Sequence, residues 1–164
     1  MGALIRGGAI TTDDWQLLAD DAELPAGGKF IIDLARWQAL AASAEAPQAE
    51  LGLRLGNDLD VESLWPEIGH AKLIALEFPG AADGRAYSQA RILRNRLGYR
   101  GEIRAVGAVI GDQLFEMSRC GFSAMELRED QDPETCLRLL QGFSASYQAA
   151  ADQRRSVRRQ RQGA

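Results

Sequence analysis

Along the chain, short apolar runs alternate with longer segments whose apolar positions recur at helical spacing, and this alternation predicts an α/β fold. The clearest strand is Leu73-Ile74-Ala75-Leu76-Glu77-Phe78, near-continuously apolar, as expected of a parallel strand covered on both faces. Further strands are predicted at Leu4–Ile10, Lys29–Leu34, Leu51–Leu55, Ile103–Val109 and Ala124–Leu127. A short helical turn is expected at Trp15–Ala19, with helices at Trp37–Ala46, Val61–Ile68, Arg85–Leu97 and Asp112–Cys120. Asp60, Asp83 and Gly111-Asp112 are expected caps, and Gly98 and Gly121 are stops. The last helix opens with Asp132 at its cap and Pro133 at its first position, and is expected to reach Gln153.

Strands alternating with helices imply parallel strands joined by helical crossovers. About four or five such strands are too few for a closed eight-stranded barrel. The expected architecture is therefore an open, mostly parallel sheet or a partial (β/α) barrel-like arrangement. Residues 1–153 are expected to form a single α/β domain, and residues 154–164 a basic, flexible C-terminal tail.

Composition adds limits. The 164 residues are 46% hydrophobic and 26% charged, as in an ordinary globular protein. No apolar run approaches the roughly 20 residues that cross a bilayer, and Met1–Ile10 lacks the pattern of a secretory signal. A cytoplasmic, membrane-free protein is expected. Cys120 and Cys136 lack C-x-x-C spacing and His70 is the sole histidine, so neither a metal site nor a cofactor is predicted.

Charge is unevenly placed. Five arginines and no acid in residues 154–164 leave −9 for residues 1–153, from a net of −4. So acidic a body argues against a nucleic-acid binder. The tail reads as a solvated terminus or as a contact for RNA or an acidic partner.

Candidate chemistry concentrates where the apolar strand 73–78 runs into the next helix. In open parallel sheets, ligands bind outside the carboxyl ends of strands. A helical projection puts Ala86, Ala90, Leu93 and Leu97 on the core stripe, with Tyr87, Arg91 and Arg94 along one border and Arg85 on the other. Tyr87, Arg91 and Arg94 could present a hydroxyl and two guanidinium groups to one oxyanion. Asp83, Ser88 and Arg104 belong to the same region, and Asp112 and Gln113 begin the helix after the next strand, so they could reach the same sheet edge. The competing reading has these arginines cover apolar surface and pair with Glu77, Asp83, Glu102 and Asp112. Neither G-x-G-x-x-G nor a phosphate-binding loop is present.

The central blocks resemble a bacterial family of unknown function that is described as an oxidoreductase of sulfite reduction. They are Asp83-Gly84-Arg85-Ala86-Tyr87-Ser88, Ala90-Arg91 with Leu93-Arg94, Gly101-Glu102-Ile103-Arg104-Ala105-Val106-Gly107, Asp112-Gln113-Leu114 and Arg119-Cys120-Gly121-Phe122. The resemblance is dense over residues 83–127 and loose over about 28–147. It departs at Ala108, where the family has an acid, and at Ala82, where it has a Phe. What it implies is a place beside sulfite reductase and sulfate assimilation.

Reduction of sulfite moves several electrons and needs cofactors to carry them. Without a cysteine cluster for iron–sulfur ligation or a dinucleotide fingerprint, the chain does not read as the reductase. The first expectation is an accessory protein of assimilatory sulfite reduction that binds sulfite reductase, a neighbouring sulfate-assimilation enzyme or an oxyanion. A small enzyme acting on an anionic metabolite at the carboxyl edge of the sheet is the alternative. A non-catalytic homodimeric scaffold, driven by open sheet edges, is the third.

Overall fold

The computed structural model describes residues 2–19, 21–43 and 47–142. Eight strands form one mixed sheet: β1 (Leu4–Arg6), β2 (Ala9–Thr11), β3 (Gln16–Leu17), β4 (Lys29–Asp33), β5 (Glu50–Leu55), β6 (Leu73–Phe78), β7 (Glu102–Gly107) and β8 (Ala124–Glu126). Among the described residues five α-helices accompany them: α1 (Leu34–Ala42), α2 (Val61–Ile68), α3 (Arg85–Arg91), α4 (Leu114–Cys120) and α5 (Pro133–Gln141).

The strand order is β2-β1-β8-β7-β6-β5-β4-β3. From β3 to β8 every neighbouring pair is parallel, and β1 joins β8 antiparallel. The sheet is thus larger than the four or five strands expected, and mixed. The extra strands come from the N-terminal segment. Gly7 and Gly8, at φ 59° and 81°, turn the expected single strand 4–10 back on itself as a two-residue hairpin. The expected helical turn at Trp15–Ala19 is instead the edge strand β3, because pairing with Phe30 and Ile31 holds the chain extended.

Chain connectivity makes the sheet curl. Its two edge strands, β2 and β3, are separated by only residues 12–15. Such a linker spans at most about 18 Å, whereas the edges of a flat eight-stranded sheet would lie about 34 Å apart. Only a strongly curved, nearly closed sheet meets both conditions.

The two faces differ. Ile32, Leu53, Leu55, Ile74, Leu76, Phe78, Ile103, Ala105 and Met125 point to the helices and share the main core with Trp37, Val61, Ile68, Ala90, Leu93, Met117, Cys120 and Leu140. On the face away from the helices, Trp15 from the linker packs on Ile31, Leu73 and Ala75. Gly52 makes room for it, since a Cβ there would meet Trp15 and Leu73 at 3.2 Å.

Several predicted boundaries match closely: α2 with Asp60 as its cap, β6, and α5 with Asp132 capping Thr135 and Pro133 in the first turn. The predicted extension of α5 to Gln153 and the tail 154–164 lie outside the described residues, whereas the helix expected to reach Ala46 already ends at Ala42, where Ser43 turns extended. The first helix begins earlier than expected, at Leu34, because the Asp33 carboxylate accepts the Arg36 amide at 2.7 Å. After Arg91 the expected regular helix becomes a π-helical turn, Ile92–Arg96, with the Leu97 amide donating to the Ile92 carbonyl. Asp112 lies in a 3-10 turn, Gly111–Gln113, and makes no side-chain cap bond.

Candidate functional site

The residues singled out from sequence are spread over two faces of the molecule. Asp83 accepts the Arg85 amide at 3.2 Å and its guanidinium at 2.7 and 3.0 Å. Those bonds, with one from Asn57, hold its carboxyl well below the usual carboxylate range. Ser88 is exposed on α3. Tyr87 packs edge-on against Phe78 and Phe122, and burial, with smaller contributions from Cys120 and Glu116, pushes its phenol up to about 12. Arg91 pairs with Glu116 at 3.1 Å.

Arg94 is a staple. It donates to the carbonyls of Gly121, Tyr99 and Gly101, each at 2.8 Å, and to Ser123 Oγ at 3.3 Å. The expected shared border of Tyr87, Arg91 and Arg94 assumed a regular advance of 100° per residue. The π turn widens the helix after Arg91 and shifts the register there, and Arg94 is spent on backbone carbonyls. Gln113 donates to the Ala81 carbonyl at 2.5 Å, so the two successive βα junctions do meet, while Asp112 is exposed.

Arg104 stands on the other face of the sheet, fully buried at 0% exposure. It makes paired bonds to Asp13 at 2.6 and 3.0 Å and one to Glu102 at 2.9 Å. Arg6 lies 3.0 Å from Glu102, and Lys29 bonds Asp14. This network ties the linker between β2 and β3 to the inner face.

Above that network, at the carboxyl ends of the strands, lies a cavity of about 230 Å³. Arg54 of β5, Glu77 of β6 and Glu126 of β8 supply its charges, and Leu17, Ile31, Ala75 and Val106 its apolar wall. Arg54 Nη2 donates to Glu77 Oε1 at 2.8 Å. Glu126 is half-buried, and burial pushes its carboxyl up, against the pull of Arg104. A wider cleft of about 790 Å³ shares Leu17, Arg54 and Glu77 with this mouth and reaches Asp33 and Asp58. Gly107, at φ 92°, passes so close to β6 that a Cβ would lie 2.5 Å from the Phe78 carbonyl oxygen. Ala108, at the position of the missing acid, follows it and donates its amide to that same oxygen at 2.8 Å.

Arg54, Glu77 and Glu126 were not among the sequence candidates. A signal was present: each is a charge near the carboxyl end of a largely apolar strand, on the alternation that faces away from the helices. Among the described residues no group of three or more His, Cys, Asp and Glu side chains is placed to hold a metal ion. No helix among them is long and apolar enough to cross a membrane.

Fold and cavity together define an α/β protein with a curled sheet and a charged mouth at the carboxyl ends of its parallel strands. The chain belongs to the family described as bacterial protein of unknown function (DUF934), whose model matches residues 52–158, from within β5 onward. No curated protein and no solved structure matched it.

Proposed function

We propose that this protein is an accessory component of assimilatory sulfite reduction that binds a small, oxyanion-bearing ligand in the mouth of its curled sheet. The observation that carries the binding half is the mouth itself: a partly open cavity at the carboxyl ends of parallel strands, with the Arg54 guanidinium on its wall. Ligands of parallel α/β proteins collect at that end, and a guanidinium matches an oxyanion by paired hydrogen bonds. The pathway half is supported by the resemblance of blocks 83–122 to relatives placed beside sulfite reductase. That enzyme, or a neighbour in sulfate assimilation, is the expected partner, and it would meet the exposed ion pairs Arg85–Asp83, Arg91–Glu116 and Arg96–Glu62 on the outer surface.

Thermal unfolding in the presence of sulfite, sulfate and sugar phosphates tests the binding half. A ligand at a hundred times its dissociation constant adds about 2.7 kcal/mol, which raises the midpoint of a chain this size by about 5–11 °C. The shift is expected in the wild type and absent in Arg54→Ala. No shift for any oxyanion-bearing ligand, zwitterionic ones included, refutes the reading. Recovery of sulfite reductase with the tagged protein from cell extract tests the pathway half, and clean purification without it counts against that half.

One observation favours a catalytic variant of this reading. Glu77 and Glu126 face one cavity, and the raised proton affinity of Glu126 is what a general acid–base group needs. A homodimer through the sheet edges has less to work with, since β2 and β3 offer only three and two residues.

A further inference from the structure

The charges on the wall of the mouth come in both signs, and two of them already satisfy each other. Arg54 and Glu77 are joined at 2.8 Å with side chains 38% and 32% exposed, so the pair can be reached by a ligand. Glu126 lines the same cavity from β8, with β7 between it and Glu77. The apolar wall of Ile31, Ala75 and Val106 lowers the local dielectric and sharpens every charge at that site.

The sign of a ligand's charge then decides its fate. A simple anion that takes Arg54 strips Glu77 of its counter-charge and faces two carboxylates, and like charges at such range oppose one another. A simple cation that takes the carboxylates leaves Arg54 unmatched. A zwitterion does neither. Its oxyanion takes the guanidinium and its ammonium takes Glu77, so one ion pair is exchanged for two with no change in the net charge of the site. Glu126 offers the ammonium a second carboxylate.

We infer that the ligand of the mouth is a free α-amino acid, its carboxylate on Arg54 and its ammonium between Glu77 and Glu126. The inference rests on the mouth being a ligand site and adds the chemical class. Calorimetric titration of the full chain with glycine, L-serine and L-aspartate tests it, against acetate and sulfate, which lack the ammonium, and ethanolamine, which lacks the oxyanion.

At least one amino acid is expected to bind tenfold or more tightly than acetate, sulfate and ethanolamine. Glu77→Gln is expected to weaken the amino acid tenfold or more while leaving sulfate unchanged or tighter. If acetate or sulfate binds as well as every amino acid, the zwitterion inference is overturned and the oxyanion reading stands. If no probe binds, both fall. Near-UV circular dichroism checks that the variant is folded. Should it not be, sulfate is expected to displace the amino acid competitively in the wild type, and non-competitive behaviour overturns the inference.

Discussion

Replacing Arg104 by Met tests how the inner face of the sheet is held. The guanidinium has 0% exposure and bridges Asp13, 15% exposed, and Glu102, 19% exposed. Methionine fills much of the same space, so the loss reports charge and hydrogen bonding more than a void. Glu102 keeps Arg6 at 3.0 Å, but among the described residues the one cation left near Asp13 is Arg6 at the longer distance of 3.8 Å, beside the Trp15 amide that Asp13 accepts at 3.1 Å. Removing one partner of a buried pair costs about 3–5 kcal/mol, because the other charge is left uncompensated. For a chain of this size that corresponds to a fall of about 6–20 °C in midpoint. Urea unfolding followed by tryptophan fluorescence measures it, since Trp15 sits on the same face. The double variant Asp13→Leu with Arg104→Met should recover part of the loss, and the cycle should show a coupling of about 0.5–3 kcal/mol. A loss below about 1 kcal/mol, the range of a solvated surface pair, would refute the claim that this network locks the linker to the sheet.

Two further outcomes separate structural from surface charge. Arg94→Ala should cost about 2–4 kcal/mol in the same assay, since bonds from a charged donor contribute about 1.5–3 kcal/mol each and are not additive; Arg91→Ala, exposed beside Glu116, should cost less than about 1 kcal/mol. Glu126 holds its proton more tightly folded than unfolded, so its contribution is complete below the ordinary value of 4.5 and is lost as pH rises through its folded value. Glu126→Gln should therefore gain on the wild type as pH rises from 4 to 8 in a series of unfolding curves, and an unchanged difference across that range would count against the burial described for this carboxyl.

Much of the architecture was legible because its causes are local. Asp60 and Asp132 cap their helices with side-chain oxygens two or three residues from the amides they accept. Near-continuous apolar character marked β6 as a strand covered on both faces, and alternation with helices implied parallel pairing. The hairpin at Gly7-Gly8 is also written in a local signal, since paired glycines favour a two-residue turn, although the apolar positions on either side continue the pattern of a single strand. Arg94 misled for a different reason. Its projected face assumed a regular helix, and the widened turn after Arg91 is a tertiary outcome, fixed with the carbonyls of Gly121, Tyr99 and Gly101.

The sequence by itself determined the α/β class, the order of most elements and the presence of a charge near the carboxyl end of several largely apolar strands. Only the tertiary structure decided where those charges meet. Arg54, Glu77 and Glu126 lie on three strands separated by whole helical crossovers, and strand register together with the curl brings them around one cavity. The curl in turn comes from joining β2 to β3 through four residues, a constraint between opposite edges of the sheet. Such a constraint has no local trace, because it exists only once every strand between those edges has found its neighbour.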